Sequence, residues 1–273
     1  MARAKDIILK PISTKDARKM VVKHHYSGKY ANNSQFNLGV FLYGRLEGAM
    51  QFGPPIDRSK LINLVEGTKW NGFMELNRMA LSDRLPRNSE SRSISVAMRV
   101  LRKYKPSVEW VVSFSDATQC GHGTIYQASG FVLTQVKKSQ NLARFRDGKA
   151  RHRIMFESHD GMFRKHDFLG GRSYAELTGG GYAWNLFLKK AGAKIVPGFQ
   201  LRYIYFLNKD ARSRLTVPIL PFSTVDDMQA RMYKGKRCVA SDTSDTSSDQ
   251  DEKGRAELTA TLNQTTDLSL EVA

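Results

Sequence analysis

With 273 residues, 41% of them hydrophobic and 10% aromatic, the chain can bury one substantial core, and one domain with insertions is expected. No apolar run reaches the roughly 18 residues that cross a bilayer, and the opening MARAKDIILK lacks the apolar segment of a secretory signal, so a soluble intracellular protein without a membrane partner is expected. Two cysteines, Cys120 and Cys238, exclude a disulfide framework and a four-cysteine zinc site.

The formal charge of +17 is unevenly spread: residues 239–273 hold eight acidic side chains against two basic ones, leaving the first 238 residues at +23. A body so basic gathers polyanions by neutralising phosphates and releasing counterions, which makes nucleic acid the leading partner. The tail 239–273 mixes Ser, Thr and Asp with no aromatic residue, and is expected to be disordered because it has too little apolar area to offset its ordering entropy.

In chain order, Ile7–Leu9 reads as a strand and Thr14–Val22 as a helix capped by Ser13 or Thr14. The polar loop KHHYSGKYANNSQ follows. Phe36–Tyr43 and Leu46–Phe52 read as a hairpin turning at Gly44-Arg45, ended by Pro54-Pro55. After a charged excursion over 54–72, Phe73–Leu81 is a strand, and the turn LPRNSESRS leads into a helix from about Ser91 to Tyr104, stopped by Pro106. Trp110–Phe114 is a buried-type strand, Thr118–Ser129 a helix closed by Gly130, and Phe131–Val136 a strand. A basic, Gly-rich section fills 137–197 before the last strand, Phe199–Leu207. This order implies an α+β fold, a mixed sheet with helices on both faces, spanning 1–238 and including the insertion 137–197.

Four groups of residues could carry chemistry. The strand-to-helix turn before Ser91 aims backbone N–H groups and a positive dipole end at one spot, where Arg87, Ser89, Ser91, Arg92 and Ser93 add donors suited to a pyrophosphate; an ordinary helix cap with solvated arginines explains the same residues. Neither a Walker lysine motif nor G-x-G-x-x-G is present, so the ligand stays open. Asp116 stands at the end of a buried strand, where a carboxylate faces the ligand crevice of an open sheet, and Tyr126 follows as a proton donor or as a packed aromatic. Cys120 and His122 are too close on one helix to form a thiol-imidazole pair. His24-His25-Tyr26 in the early loop supplies a general base, a metal ligand with Asp116, or plain surface residues; no H-E-x-x-H or P-C-x-x-C pattern supports a zinc hydrolase. In the insertion, Arg144, Arg146, Lys149, Arg151 and Arg153 would contact phosphates while Tyr174, Tyr182, Trp184 and Phe187 stack on a base, unless the section is a solvated, loosely packed loop.

The run of strand, phosphate-binding turn, helix, strand and YQASGF resembles the second half of a GNAT-type N-acyltransferase. HHYSG, ELNRMAL, SFSDATQCGHGTIYQASGF and the closing RYIYFL with LTVPILPF resemble, more specifically, the Mom family of phage DNA-modification proteins, over roughly residues 5–222. The resemblance implies an enzyme that converts the exocyclic amine of adenine to a carbamoylmethyl derivative in the host cytoplasm, shielding phage DNA from restriction. It implies catalysis by His25, Tyr26, Asp116 and Tyr126, an iron ion held by His25, Tyr26 and Asp116, and acetyl-CoA or a related acyl-CoA bound through Arg78, Arg87, Ser91 and Arg92. Double-stranded DNA, a coenzyme A derivative and a second copy of the chain are the implied partners. One departure is plain: the glycine-rich acyltransferase turn is replaced by Arg87-Asn88-Ser89-Glu90-Ser91-Arg92. Two rival readings remain, a GNAT enzyme acetylating a protein or small amine and a non-catalytic DNA-binding anti-restriction protein on the same scaffold.

Overall fold

Seven strands form the sheet that positions everything else, in the spatial order Ile7–Pro11, Phe36–Leu42, Arg45–Gly53, Phe73–Leu81, Trp110–Asp116, Gly198–Phe206, Val132–Ser139. The computed structural model describes residues 2–230 and the backbone of 232–233 and 236–237; Cys238, the acidic tail and the side chain of Cys120 lie outside the described residues. The chain enters on β1 (Ile7–Pro11) and α1 (Thr14–His24), whose cap is Ser13, accepting the backbone N–H of Asp16. The hairpin β2 (Phe36–Leu42) and β3 (Arg45–Gly53) turns at Tyr43-Gly44 rather than Gly44-Arg45. Both turn residues take positive φ, 48° and 79°, the geometry whose twist matches the flanking strands. A short helix α2 (Arg58–Leu61) lies in the excursion before β4 (Phe73–Leu81), and α3 (Ser89–Tyr104) leads to β5 (Trp110–Asp116).

The expected helix over 118–129 is two short pieces, α4 (Ala117–Cys120) and α5 (Thr124–Ala128). Gly121 and Gly123 between them adopt φ of 83° and 80°, which a helix cannot contain. From β6 (Val132–Ser139) the chain enters the insertion and returns on β10 (Gly198–Phe206), which lies between β5 and β6 and runs antiparallel to both.

Alternation along the strands sets the two faces. Ile7, Leu9, Leu38, Val40, Met50, Phe52, Met74 and Val111 pack under Ile94, Ala97, Met98 and Leu101 of α3. The opposite face is covered by Ala17 and Val21 of α1 on Ala49 and Ala80, and by Leu64 and Val65 of the excursion against Phe73, Trp110 and Val112. Phe73 and Trp110 stack with centroids 4.3 Å apart, and burying each such ring contributes about 2–3 kcal/mol. This is the mixed, helix-flanked α+β plan expected from the pattern of elements.

The insertion has a core of its own. It holds a small sheet of β7 (Leu142–Arg144), β8 (Ala150–His152) and β9 (Lys194–Ile195), with α6 (Ile154–Glu157), α7 (His159–Met162), α8 (Tyr174–Thr178) and α9 (Trp184–Ala191). Phe145, Phe156, Tyr174, Trp184 and Phe187 pack together in it, so three of the four aromatics expected on the surface are buried there. Their positions on the buried stripes of α8 and α9 explain the difference, and Tyr182 alone of the four is exposed. The Tyr174 hydroxyl donates to Glu157 and accepts the backbone N–H of Ala183, which ties α6, α8 and the start of α9 to one another.

Candidate active site

β4 and β5 are the only parallel neighbours in the seven-stranded sheet, and they pair over three positions, Phe73–Glu75 with Trp110–Val112. Beyond them β4 continues along β3 and β5 along β10, so the two strands splay and leave facing backbone edges without ladder partners. A cavity of about 370 Å³ opens there, within the range of small-molecule sites. Leu76, Asn77, Arg78 and Met79 line it from β4, Phe114 and Ser115 from β5, His25 and Tyr26 from the early loop, and the stretch Gly121–Tyr126 from the broken helix.

A bulge in β4 organises this wall. Gln51 pairs with Arg78 and Phe52 with Leu76, so Asn77 is the extra residue. On a regular strand Glu75 and Arg78 would point to opposite faces; the bulge returns them to one. Burial pushes the Glu75 carboxyl up to about 7, against the opposing pull of Arg78 and Asn77. Because its acid form is favoured in the folded state, the stability this gives is complete below the ordinary value of 4.5 and is lost as pH rises through 7. Between pH 5.5 and 8 the loss is about 2 kcal/mol. Thermal unfolding of Glu75→Gln should therefore show a gain over the native chain at pH 8 that is larger than at pH 5.5; equal gains at the two pH values would mean that Glu75 ionises normally.

His25 sits just beyond the C-terminal end of α1. The backbone N–H of Ser27 donates to its Nδ1 at 3.2 Å, and the Ser27 hydroxyl lies 2.8 Å from the same nitrogen. Burial first, then the Arg78 guanidinium, lowers the imidazole to about 4, so it is neutral at physiological pH. With Nδ1 accepting, the neutral ring carries its proton on Nε2 and is a hydrogen-bond donor there. Arg78 is fixed by donating from Nε to the Lys29 carbonyl at 3.0 Å and from Nη1 to the Asn77 carbonyl at 2.6 Å. Tyr26 packs its ring 4.4 Å from that of His25.

On the opposite wall, Tyr126 is buried, with its ring 5.0 Å from Tyr203 and 5.3 Å from Phe131. Tyr203 donates its hydroxyl to the His122 carbonyl at 2.5 Å, and a Cβ at Gly123 would lie 2.6 Å from the Tyr203 ring, so glycine is required there for the wall to close. His122, set aside in the sequence because of its spacing from Cys120, lines the cavity through the turn that Gly121 and Gly123 create, with Nε2 2.8 Å from the Thr124 hydroxyl.

The other expected residues fall outside this lining. Asp116 ends β5 and accepts the Thr118 N–H at 3.0 Å as the cap of α4; its charge is felt by His152 of the insertion. Arg87, Ser91 and Arg92 lie at the start of α3. There Asn88 adopts φ 67°, filling the left-handed position a glycine would take, and the Ser89 and Ser91 hydroxyls donate to the Pro86 and Asn88 carbonyls rather than outward. The Arg92 Nε is buried without a hydrogen-bond partner.

The iron ion expected on His25, Tyr26 and Asp116 does not fit this arrangement. A bare Nε2 on His25 would move the proton to Nδ1, where it would face the Ser27 N–H, and Arg78 adds a like charge beside the ring. The residues lining the cavity include no carboxylate, and among the described residues no group of three or more His, Cys, Asp or Glu is placed to hold a metal.

Of the basic residues expected on DNA, Arg151 is bound to Asp147 and lies 3.6 Å over the Phe168 ring, and Arg153 is bound to Glu157. Arg144 donates to the Gly148 carbonyl, while Arg146 and Lys149 are exposed. The first two serve the insertion's own structure.

A mixed sheet splayed at its one parallel junction, with an extra residue in the wall of the cleft, defines a helix-flanked α+β scaffold with a ligand-sized cavity at the splay. The chain belongs to the Mom protein family, whose profile matches residues 6–224. It is 38% identical over 223 residues to "Methylcarbamoylase mom" of Escherichia phage Mu, covering 79% of this chain and 82% of that one. Among solved structures it is similar to the spermidine/spermine N-acetyltransferase SpeG from Vibrio cholerae (TM-score 0.40, 8% identity, 78% of this chain and 99% of the other). It is also similar to an IAA acetyltransferase from Bacillus cereus (TM-score 0.38, 8% identity, 73% and 99%). No helix among the described residues is long and apolar enough to cross a membrane.

Proposed function

We propose that this chain modifies adenine in DNA, bonding the exocyclic amine to the acyl carbon of a thioester inside the β4–β5 cavity as the donor's C–S bond breaks and the thiol leaves. The observation that carries this reading is membership of the Mom family together with a cavity of about 370 Å³ at the splay, large enough for an extruded base. The amine lies inside the duplex and is poorly nucleophilic, so the base must be turned out of the stack and met by fixed donors and acceptors.

The donor is proposed to be a coenzyme A thioester. Beyond Glu75 and Val112 the edges of β4 and β5 no longer pair with each other, a gap that fits its amide-bearing arm, and Arg87 with the buried, unsatisfied Arg92 Nε at the start of α3 suits its diphosphate. Bound there, the thioester supplies an electrophilic carbon. The protein's own residues then divide the work: His25 presents Nε2–H to fix the base or the electrophile, Tyr126 offers a phenol proton toward the departing group, and Asp116, one residue beyond Ser115 of the lining and also the cap of α4, is proposed as the carboxylate that takes the amine's proton at the cavity's edge.

Expression in a host, digestion of its DNA and mass spectrometry of the nucleosides test this directly. A mass-shifted deoxyadenosine is expected from the native chain and a loss of at least tenfold from Asp116→Ala, general acid-base groups being worth about 10²–10⁴. Unmodified deoxyadenosine from the folded native chain overturns the reading, and full activity of Asp116→Ala removes that carboxylate from it.

A further inference from the structure

A second cavity, of about 350 Å³, opens in the insertion and has no role in the reaction derived above. Gln140, just past the end of β6, lines it together with Arg153, which follows β8, and with Tyr182, Trp184 and Asn185 around the start of α9. Hydrogen bonds hold these walls in place. The Trp184 Nε1–H donates to the Gln140 carbonyl at 3.1 Å, the Arg153 backbone N–H to the Asn141 carbonyl at 2.6 Å, and the Ala183 N–H to the Tyr174 hydroxyl at 3.0 Å. Arg153 donates from Nε to Glu157 at 2.5 Å and stands 5.8 Å over the Trp184 ring.

To a ligand this frame offers one aromatic ring and two amides. Tyr182 is 71% exposed, and Gln140 and Asn185 are exposed as well. Gly181, next to Tyr182, has no left-handed φ, and a Cβ there would meet nothing within 4 Å, so the bare backbone leaves room for a close approach to the ring. Amide side chains pair with the edges of bases, and an exposed aromatic gives a base a face to stack on. The sheet register ties this cavity to the reaction site. Gln200 pairs with Asp116 on one side and Lys137 on the other, and Gly198 pairs with Ser139, so β6 runs out at the end of the sheet where β5 also ends. A Cβ at Gly198 would strike the Thr118 hydroxyl, which shows how closely this end of β10 packs on α4. Two strand spacings and three residues separate Gln140 from Asp116, roughly 15 Å, or about four nucleotides of backbone.

We propose that this cavity holds a second base of the DNA strand, within about four nucleotides of the adenine being modified, stacked on Tyr182 and hydrogen-bonded at its edge by Gln140 and Asn185. This rests on the DNA reading above. Extruding one nucleotide disrupts the stack beside it, which frees a neighbouring base for the cavity. The choice of adenine then depends on the sequence that flanks it.

Fluorescence anisotropy with two single strands of about 12 nucleotides, one of deoxythymidines and one abasic with the same phosphates, reads out the stacking. Tyr182→Ala is expected to weaken binding of the first about tenfold and leave the second unchanged, and Tyr182→Phe to stay near the native value. Tyr104→Ala is the control, because Tyr104 is also exposed but ends α3, which leads to the Trp110 end of β5, opposite Asp116; it should bind both strands as the native chain does. Equal losses on the two strands would make the contact a phosphate, and no loss on either would leave the cavity without a base; each overturns the proposal. So does a Tyr182→Ala protein that keeps its strand affinity and binds coenzyme A more weakly in calorimetry, which assigns the cavity to the coenzyme's adenine. Sequencing around the modified adenines reads out the edge contacts: the native preference at a flanking position should fall about fivefold or more in a Gln140→Ala, Asn185→Ala double variant. A double variant that keeps the native preference overturns those contacts. The two readings fail separately: strand losses as expected with no modified adenine would sink the reaction and leave the subsite, whereas modified adenine with unchanged strand binding would sink the subsite alone.

Discussion

His25→Ala is expected to slow adenine modification on the order of 10²–10³-fold, the range found when one preorganised donor is removed from a reaction site. The effect should come with a distinctive pH profile. A histidine acting as a base at its ordinary value of 6.5 would give an acid limb there. His25 is held at about 4 by burial and by Arg78, so its protonation should leave the rate level down to about pH 5 and impose its limb near 4. The sign for stability follows from the same shift: the folded state favours the neutral ring, so stability is lost as pH falls from 6.5 toward 4, and the alanine variant should be less acid-sensitive in that window. The donor assignment rests on the Ser27 N–H, which occupies Nδ1 and leaves the proton on Nε2. A native profile whose acid limb, traced to His25, lies near 6.5, or an unchanged rate in His25→Ala, would falsify it.

Much of the scaffold is legible in the amino-acid order because it depends on local patterning. The alternation in Phe73–Leu81 and the β-rich FQLRYIYFL mark β4 and β10, and Ser13 marks the start of α1, each through chemistry contained in a few neighbouring residues. What escapes is what depends on distant partners. The bulge at Asn77 has no signature in ELNRMAL, yet it sets Glu75 and Arg78 on one face. The two glycines of CGHGT read as tolerable in a helix until Tyr203, eighty positions later, closes against Gly123 and forces the break that brings His122 to the cavity. In the insertion, Tyr174, Trp184 and Phe187 look like a stacking surface because the elements that bury them are only five and eight residues long, too short for a helical period to be persuasive. Its arginines show the opposite limit, since a basic run displays charge but not the carboxylates beside it, as Asp147 stands beside Arg151.

Tyr126→Phe is the second large effect expected, a loss of about 10²-fold or more in rate with little change in stability. The ring is held by Tyr203 at 5.0 Å and Phe131 at 5.3 Å, contacts that phenylalanine keeps, so the fold should tolerate the exchange. Tyr126→Ala removes those contacts as well and should cost about 3–5 kcal/mol, which separates the packing role of the ring from the chemical role of its hydroxyl. A phenol that only shapes the wall would show the reverse pattern, with full activity in Tyr126→Phe and damage only in Tyr126→Ala. If the hydroxyl gives its proton to the departing group, its value depends on how badly that group needs one. The deficit of Tyr126→Phe should then shrink with a donor whose leaving group is more acidic than an alkyl thiol, and the binding of donor to the two proteins should stay equal. A deficit that is constant across donors would instead assign Tyr126 to holding the base in the cavity, beside His25 on the facing wall.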